Sequence, residues 1–213
     1  MQVTLTFDNG PTPGVTDAVL DVLADRGVPA TFFVVGERLL DPSARSLAER
    51  AHAEGHRIGN HTLTHRVPLG EAEPAVAIRE VDEAQRLLGD LATDPPLFRP
   101  YGQGGTIDDR LLGPAALRRL EDGRYTCVLW NCVPRDWLDP DGWVERCLDQ
   151  VTLVEWPVIV VHDVVGAAMP RLPELLDRLD ERGAAYTQET PDACTPLRAG
   201  RRTGAFALLG VPA

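Results

Sequence analysis

The feature that most constrains this chain is a repeated change of hydrophobic period. Val3-Thr4-Leu5-Thr6-Phe7 reads as a strand, and apolar positions at helical spacing follow, at Val15, Ala18, Val19, Val22 and Leu23. Gly27 supplies the helix stop. The same switch recurs along the chain. Strand patterns occupy Thr31–Val35, His56–Asn60, Leu97-Phe98, Tyr125–Trp130, Val158–Val161 and Ala184–Thr187. Helix patterns occupy Asp41–Gly55, Glu71–Leu91, Leu111–Leu120, Asp141–Leu153 and Leu172–Arg182, the first opening on an Asp41-Pro42 cap. About seven strands alternating with about six helices imply right-handed crossovers and a mostly parallel α/β sheet. A closed or nearly closed barrel is the first expectation and an open doubly wound sheet the second.

The chain's 213 residues, 44% hydrophobic, suit one domain with a sizeable core. No composition shift divides residues 1–213, and the tail from about Pro191, rich in Gly, Pro and Arg, reads as an irregular wrap. A net charge of -11 argues against a nucleic-acid partner. No apolar run approaches the ~20 residues that cross a bilayer, so no membrane is expected. The opening residues lack a basic segment and an apolar core, so a cytoplasmic location is expected. Cys127, Cys132, Cys147 and Cys194 form no C-x-x-C pair and are expected as buried thiols.

In parallel α/β folds, chemistry gathers at the carboxyl ends of strands. Five segments place polar residues there: Asp8-Asn9, His61 with His65, Arg99-Pro100-Tyr101-Gly102, Asn131 with Asp136-Trp137, and His162-Asp163. Each has a plainer reading. Asn9-Gly10 is a turn signal, although no second strand follows. Asp8 can cap that turn. Histidines four apart share one side of a helical turn, as zinc ligands or as surface residues do. Arg99 and Asp136 can form a buried ion pair, and His162 can be a core histidine. His52 and His56 read as structural. Trp130 and Trp143 can stack on a sugar ring, core packing being the stronger reading for Trp130.

Together TFDNGP, ATFFVVGERL, HTLTH, FRPYG, RDW and VVHD, in this order, resemble the polysaccharide deacetylase family, carbohydrate esterase family four. The resemblance runs from Leu5 to about Asp163. It implies a deformed (β/α) barrel and hydrolysis of N-acetyl groups on amino sugars. It also implies a divalent metal, most readily Zn2+, held by His61, His65 and the residue at position 9. Asp8 would be the general base, Arg99 would hold it ionised, and His162 would be the general acid, supported by Asp136. Tyr101 would bring an oxyanion contact and Trp137 an apolar wall. Two departures stand out. Asn9 replaces an acid, which leaves a neutral, weaker metal donor or no metal site at all. Arg99-Pro100-Tyr101 is one residue shorter than the family's R-x-P-Y. The expected substrate is therefore an N-acylated sugar or small amide. A metal-independent amidase and a catalytically inactive carbohydrate-binding domain are the alternatives.

Overall fold

The computed structural model describes residues 1–210. Its strands are β1 (Gln2–Asp8), β2 (Thr31–Val34), β3 (Arg57–Asn60), β4 (Leu97–Phe98), β5 (Thr126–Cys127), β6 (Val158–His162), β7 (Ala185–Thr187), β8 (Leu197–Arg198) and β9 (Arg201–Arg202). Its helices are α1 (Thr16–Arg26), α2 (Pro42–Ala53), α3 (Pro74–Leu88), α4 (Pro114–Asp122), α5 (Trp143–Gln150) and α6 (Leu172–Asp180). The sheet order is β6-β1-β2-β3-β4-β5-β8-β9, with β7 also paired to β1. Pairings from β1 through β7 are parallel; β8 and β9 are antiparallel. The ring closes through one parallel bridge, Cys132 to Ile159, so the expected nearly closed α/β barrel is the architecture found.

Strand β1 shows why the sheet folds in this sense. Val3, Leu5 and Phe7 point outward into a core shared with α1, α2, α5 and α6. The alternate residues Thr4, Thr6 and Asp8 are also buried, on the opposite face. That inner face is narrow. Phe33, Val128, Val158 and Cys194 fill part of it, and the Arg99 guanidinium lies 4.1 Å over the Phe33 ring. The second large core joins α3 and α4 to β4 and β5. All four cysteines are buried free thiols, as expected.

Several boundaries move for physical reasons. The α1 stop at Gly27 is left-handed (φ 62°), and Asp41 caps α2 by accepting from the Ser43 N–H, both as read from sequence. Helix α3 starts only at Pro74, since proline suits the first turn and not the interior. The expected Tyr125–Trp130 strand shortens to Thr126–Cys127. Beyond it, Leu129 N–H donates to Cys194 and Cys132 N–H to Val158, so the segment leaves its neighbour to close the ring. The HTLTH segment is not helical. Thr62 and His65 have φ of 66° and 54°, and side chains satisfy the backbone: Thr62 N–H donates to Asn60 Oδ1, and His65 N–H to Thr62 Oγ1. The tail is more regular than expected. It forms the β8–β9 hairpin and buries Leu197 and Leu209. No helix among the described residues is long and apolar enough to cross a membrane.

Candidate active site

Strand register assembles the site. Asp8 pairs with His162 across β1 and β6, and Asn60 pairs with Phe98, so His61 and Arg99 leave adjacent strands side by side. The turn after β1 adds Asn9, whose φ of 76° an amide residue tolerates better than most. A cavity of about 220 Å3 opens at these strand ends, lined by Asp8, Asn9, His61, His65, Tyr101, Trp137 and His162 among others. Arg99 and Asp136 lie behind it, fully buried. All nine residues to which the resemblance gives a role thus come together.

Two charged stations face each other. At the first, Arg99 Nη1 donates to Asp8 Oδ1 at 2.8 Å and to Thr6 Oγ1 at 2.6 Å. The remaining guanidinium donors go to the Val128 and Leu129 carbonyls. Burial alone would raise the Asp8 pKa, but its partners, Arg99 foremost, outweigh it and hold the carboxyl below its usual value. Asp8 Oδ2 carries no such bond and lies 3.6 Å from His61 Nε2. At the second station, Asp136 grips His162 twice, accepting from its backbone N–H at 2.8 Å and from ring Nδ1 at 2.9 Å. Burial lowers the His162 pKa, but Asp136 more than offsets it, and the net shift is upward. Trp137 stands edge-on to the His162 ring, 4.7 Å between centroids. The ordinary Arg99–Asp136 ion pair considered from sequence is not the arrangement: each serves a different station.

The donors suited to a metal lie between the stations. His61 Nδ1 sits 2.8 Å from the Arg99 carbonyl, which can only accept, so the ring proton is on Nδ1 and Nε2 is bare. Burial pushes the His61 pKa down and that of His65 down to about 3, so both rings are neutral, the form that binds metal. Their centroids are 4.7 Å apart, and Tyr101 packs on His65 at 4.0 Å. Asn9 Oδ1 is buried with no hydrogen-bond partner. A buried carbonyl oxygen left bare is costly unless something accepts its lone pairs, and a cation does. The donor set of two neutral imidazoles and one amide oxygen therefore fits a divalent ion. Among the described residues no group of three His, Cys, Asp or Glu offers itself as a metal site, and the third donor here is an amide.

Sequence reasoning named Asp163 and Trp130 but gave neither its place in the wall. Asp163 is buried and accepts from the Gly10 N–H at 3.1 Å and from Thr16 Oγ1 at 2.6 Å, tying the turn after β1 to the end of β6. A Cβ on Gly10 would lie 2.0 Å from its carboxylate, which explains the glycine. Trp130 faces the cavity and anchors Gly105 through its ring N–H. Trp143, offered as a sugar platform, is instead fully buried in α5. Asn131 is structural, bonded to Val158 N–H and the Trp156 carbonyl. His56 is structural too, accepting from Ala30 N–H.

Comparison with known proteins bears on family and fold. The sequence model of the family described as "Polysaccharide deacetylase" matches residues 1–116. The chain is 36% identical over 162 residues to a chitooligosaccharide deacetylase of Rhizobium leguminosarum bv. phaseoli, covering 75% of this chain and 66% of that protein, just under two thirds of its length. It is 31% identical to a peptidoglycan-N-acetylglucosamine deacetylase of Bacillus cereus, over 81% of each. A solved family 4 acetyl xylan esterase from Clostridium thermocellum, in complex with a cobalt ion, superposes with a TM-score of 0.71 at 26% identity, covering 88% of this chain and 87% of that one. On sequence and fold together, the chain belongs to the polysaccharide deacetylase family.

Proposed function

We propose that this protein is a metal-assisted hydrolase that removes the acetyl group from the nitrogen of an N-acetylated amino sugar. One observation carries the reading: a carboxylate paired with Arg99 and an imidazole paired with Asp136 face one small cavity from adjacent strand ends. A binding domain needs neither, and amide hydrolysis needs both. The relatives named as chitooligosaccharide and peptidoglycan deacetylases support the sugar substrate.

His61, His65 and Asn9 would hold the metal. When bound, a divalent ion polarises the acetamide carbonyl and lowers the pKa of water. The chain's own residues do the rest. Asp8 Oδ1 is committed to Arg99, so Oδ2 is the oxygen free to accept the attacking water's proton. His162 Nδ1 is committed to Asp136, so Nε2 is the atom that delivers a proton to the departing amine. Without that proton an amine does not leave. The different surroundings keep the base ionised and the acid protonated at once. Trp137, Val160 and Val164 supply an apolar wall where the acetyl methyl would sit, and the Tyr101-Gly102 backbone offers the oxyanion contact.

The neutral Asn9 favours a second reading, a metal-independent amidase acting on a small non-sugar amide. Metal content decides between them. The purified protein should carry or take up near-stoichiometric zinc or another divalent ion, and H61A/H65A should not. It should also release acetate from N-acetylglucosamine oligomers. Zinc uptake that is negligible, or unchanged by the double substitution, would overturn the metal-assisted reading.

A further inference from the structure

The chain has three asparagines, and they are not equivalent. Asn60 is held on both ends of its amide, by Val81, Gln85 and the Thr62 N–H. Asn131 is held likewise by Trp156 and Val158. Asn9 alone is followed by glycine, and its amide oxygen is buried without a partner. Asparagine before glycine is chemically labile, because the next backbone nitrogen, unshielded by a Cβ, can attack the side-chain amide carbon. Here that nitrogen already has a base on it: the Gly10 N–H donates to Asp163 Oδ1 at 3.1 Å.

We propose that Asn9-Gly10 is a self-modification site at which Asn9 is converted to aspartate, with Asp163 as the base. The step balances without any outside reagent but water. Asp163 takes the Gly10 N–H proton as the nitrogen bonds to Asn9 Cγ. The proton passes to the side-chain nitrogen, which leaves as ammonia, and a five-membered succinimide remains. Water then adds at Cγ and breaks the new N–C bond, restoring the Gly10 amide and leaving a carboxylate at position 9. Nothing is oxidised or reduced. Thr16 Oγ1 fixes the second oxygen of Asp163, so Oδ1 stays aimed at Gly10. Burial raises the Asp163 pKa to about 6, which makes it a better proton acceptor than an exposed carboxylate.

The consequence rests on the metal-site reading above, although the conversion itself does not. Asn9 presents a neutral amide oxygen to the cavity; its product presents a charged carboxylate, a stronger donor to a divalent ion. The chain would thus be made with a weak third ligand and acquire a strong one with age.

The test is incubation of the folded protein at neutral pH in heavy-oxygen water, followed by peptide mass spectrometry of the segment ending at Arg26. The expected result is heavy-oxygen label at residue 9 that rises with time, with Asn60 and Asn131 unlabelled. The rate should exceed that of the urea-unfolded chain and fall at least about tenfold in D163N whose circular dichroism is unchanged. An unlabelled residue 9 in the folded protein, over a period in which the unfolded chain converts, overturns the proposal. So does an undiminished rate in folded D163N; should that variant not fold, the folded-against-unfolded comparison decides alone. Zinc titration of N9D separates the two readings. About tenfold tighter binding than freshly made wild type supports the consequence. Equal affinity overturns the metal role of position 9 and leaves the conversion standing.

Discussion

At the residue scale, the roles at the site are set by which atom of each side chain is already spoken for. Asp8 and His162 each give one polar atom to a buried partner and keep the other for the cavity. The Asp136 hydrogen bond and charge are what lift the His162 pKa above the usual histidine value. The acid works while protonated, so activity persists as pH rises and falls once pH passes the raised His162 pKa. Replacing Asp136 by Asn removes the charge, and the alkaline limb of kcat should shift to lower pH. A pH–rate profile of D136N checks this, since a variant that was merely less stable would lose activity without moving the limb.

At the element scale, the turn between β1 and α1 is the most constrained piece of chain. It must present Asp8 and Asn9 while its backbone passes against Asp163. G10A places a methyl 2.0 Å from a carboxylate oxygen, so the turn must move. Overpacking of this kind costs about 1–3 kcal/mol. The denaturation midpoint should fall accordingly, and activity should fall further than stability explains. Most strand ends at the site were legible in sequence because polar residues interrupt apolar runs there. The role of Asp163 was not, because its partners, Gly10 and Thr16, lie some 150 residues away and only the β1–β6 register brings them close. The histidine pair was legible as a pair but not as a shape. Spacing of four suggests a helical turn, and local side-chain bonds from Asn60 and Thr62 select left-handed residues instead. Trp143 misled because an aromatic at a helix start looks the same in sequence whether it faces the rim or the core.

At the scale of the whole molecule, the segment after Pro191 belongs to the barrel. Leu197 and Leu209 are fully buried in the core of α3 and α4, and β8 covers the edge that β5 would otherwise leave open. L197A should cost about 2–5 kcal/mol, the range for buried leucine truncations, and denaturant titration would register it. The effect should be general, with the pH profile unchanged.

The ring's closure at a single bridge bears on how the site breathes. Asp136 follows the strand segment on one side of that bridge, and His162 ends the strand on the other. The ion pair therefore works as a latch across the seam. A seam that parted would take from the imidazole the carboxylate that raises its pKa. The closure of the barrel and the charge on its acid therefore share one contact, Asp136 with His162.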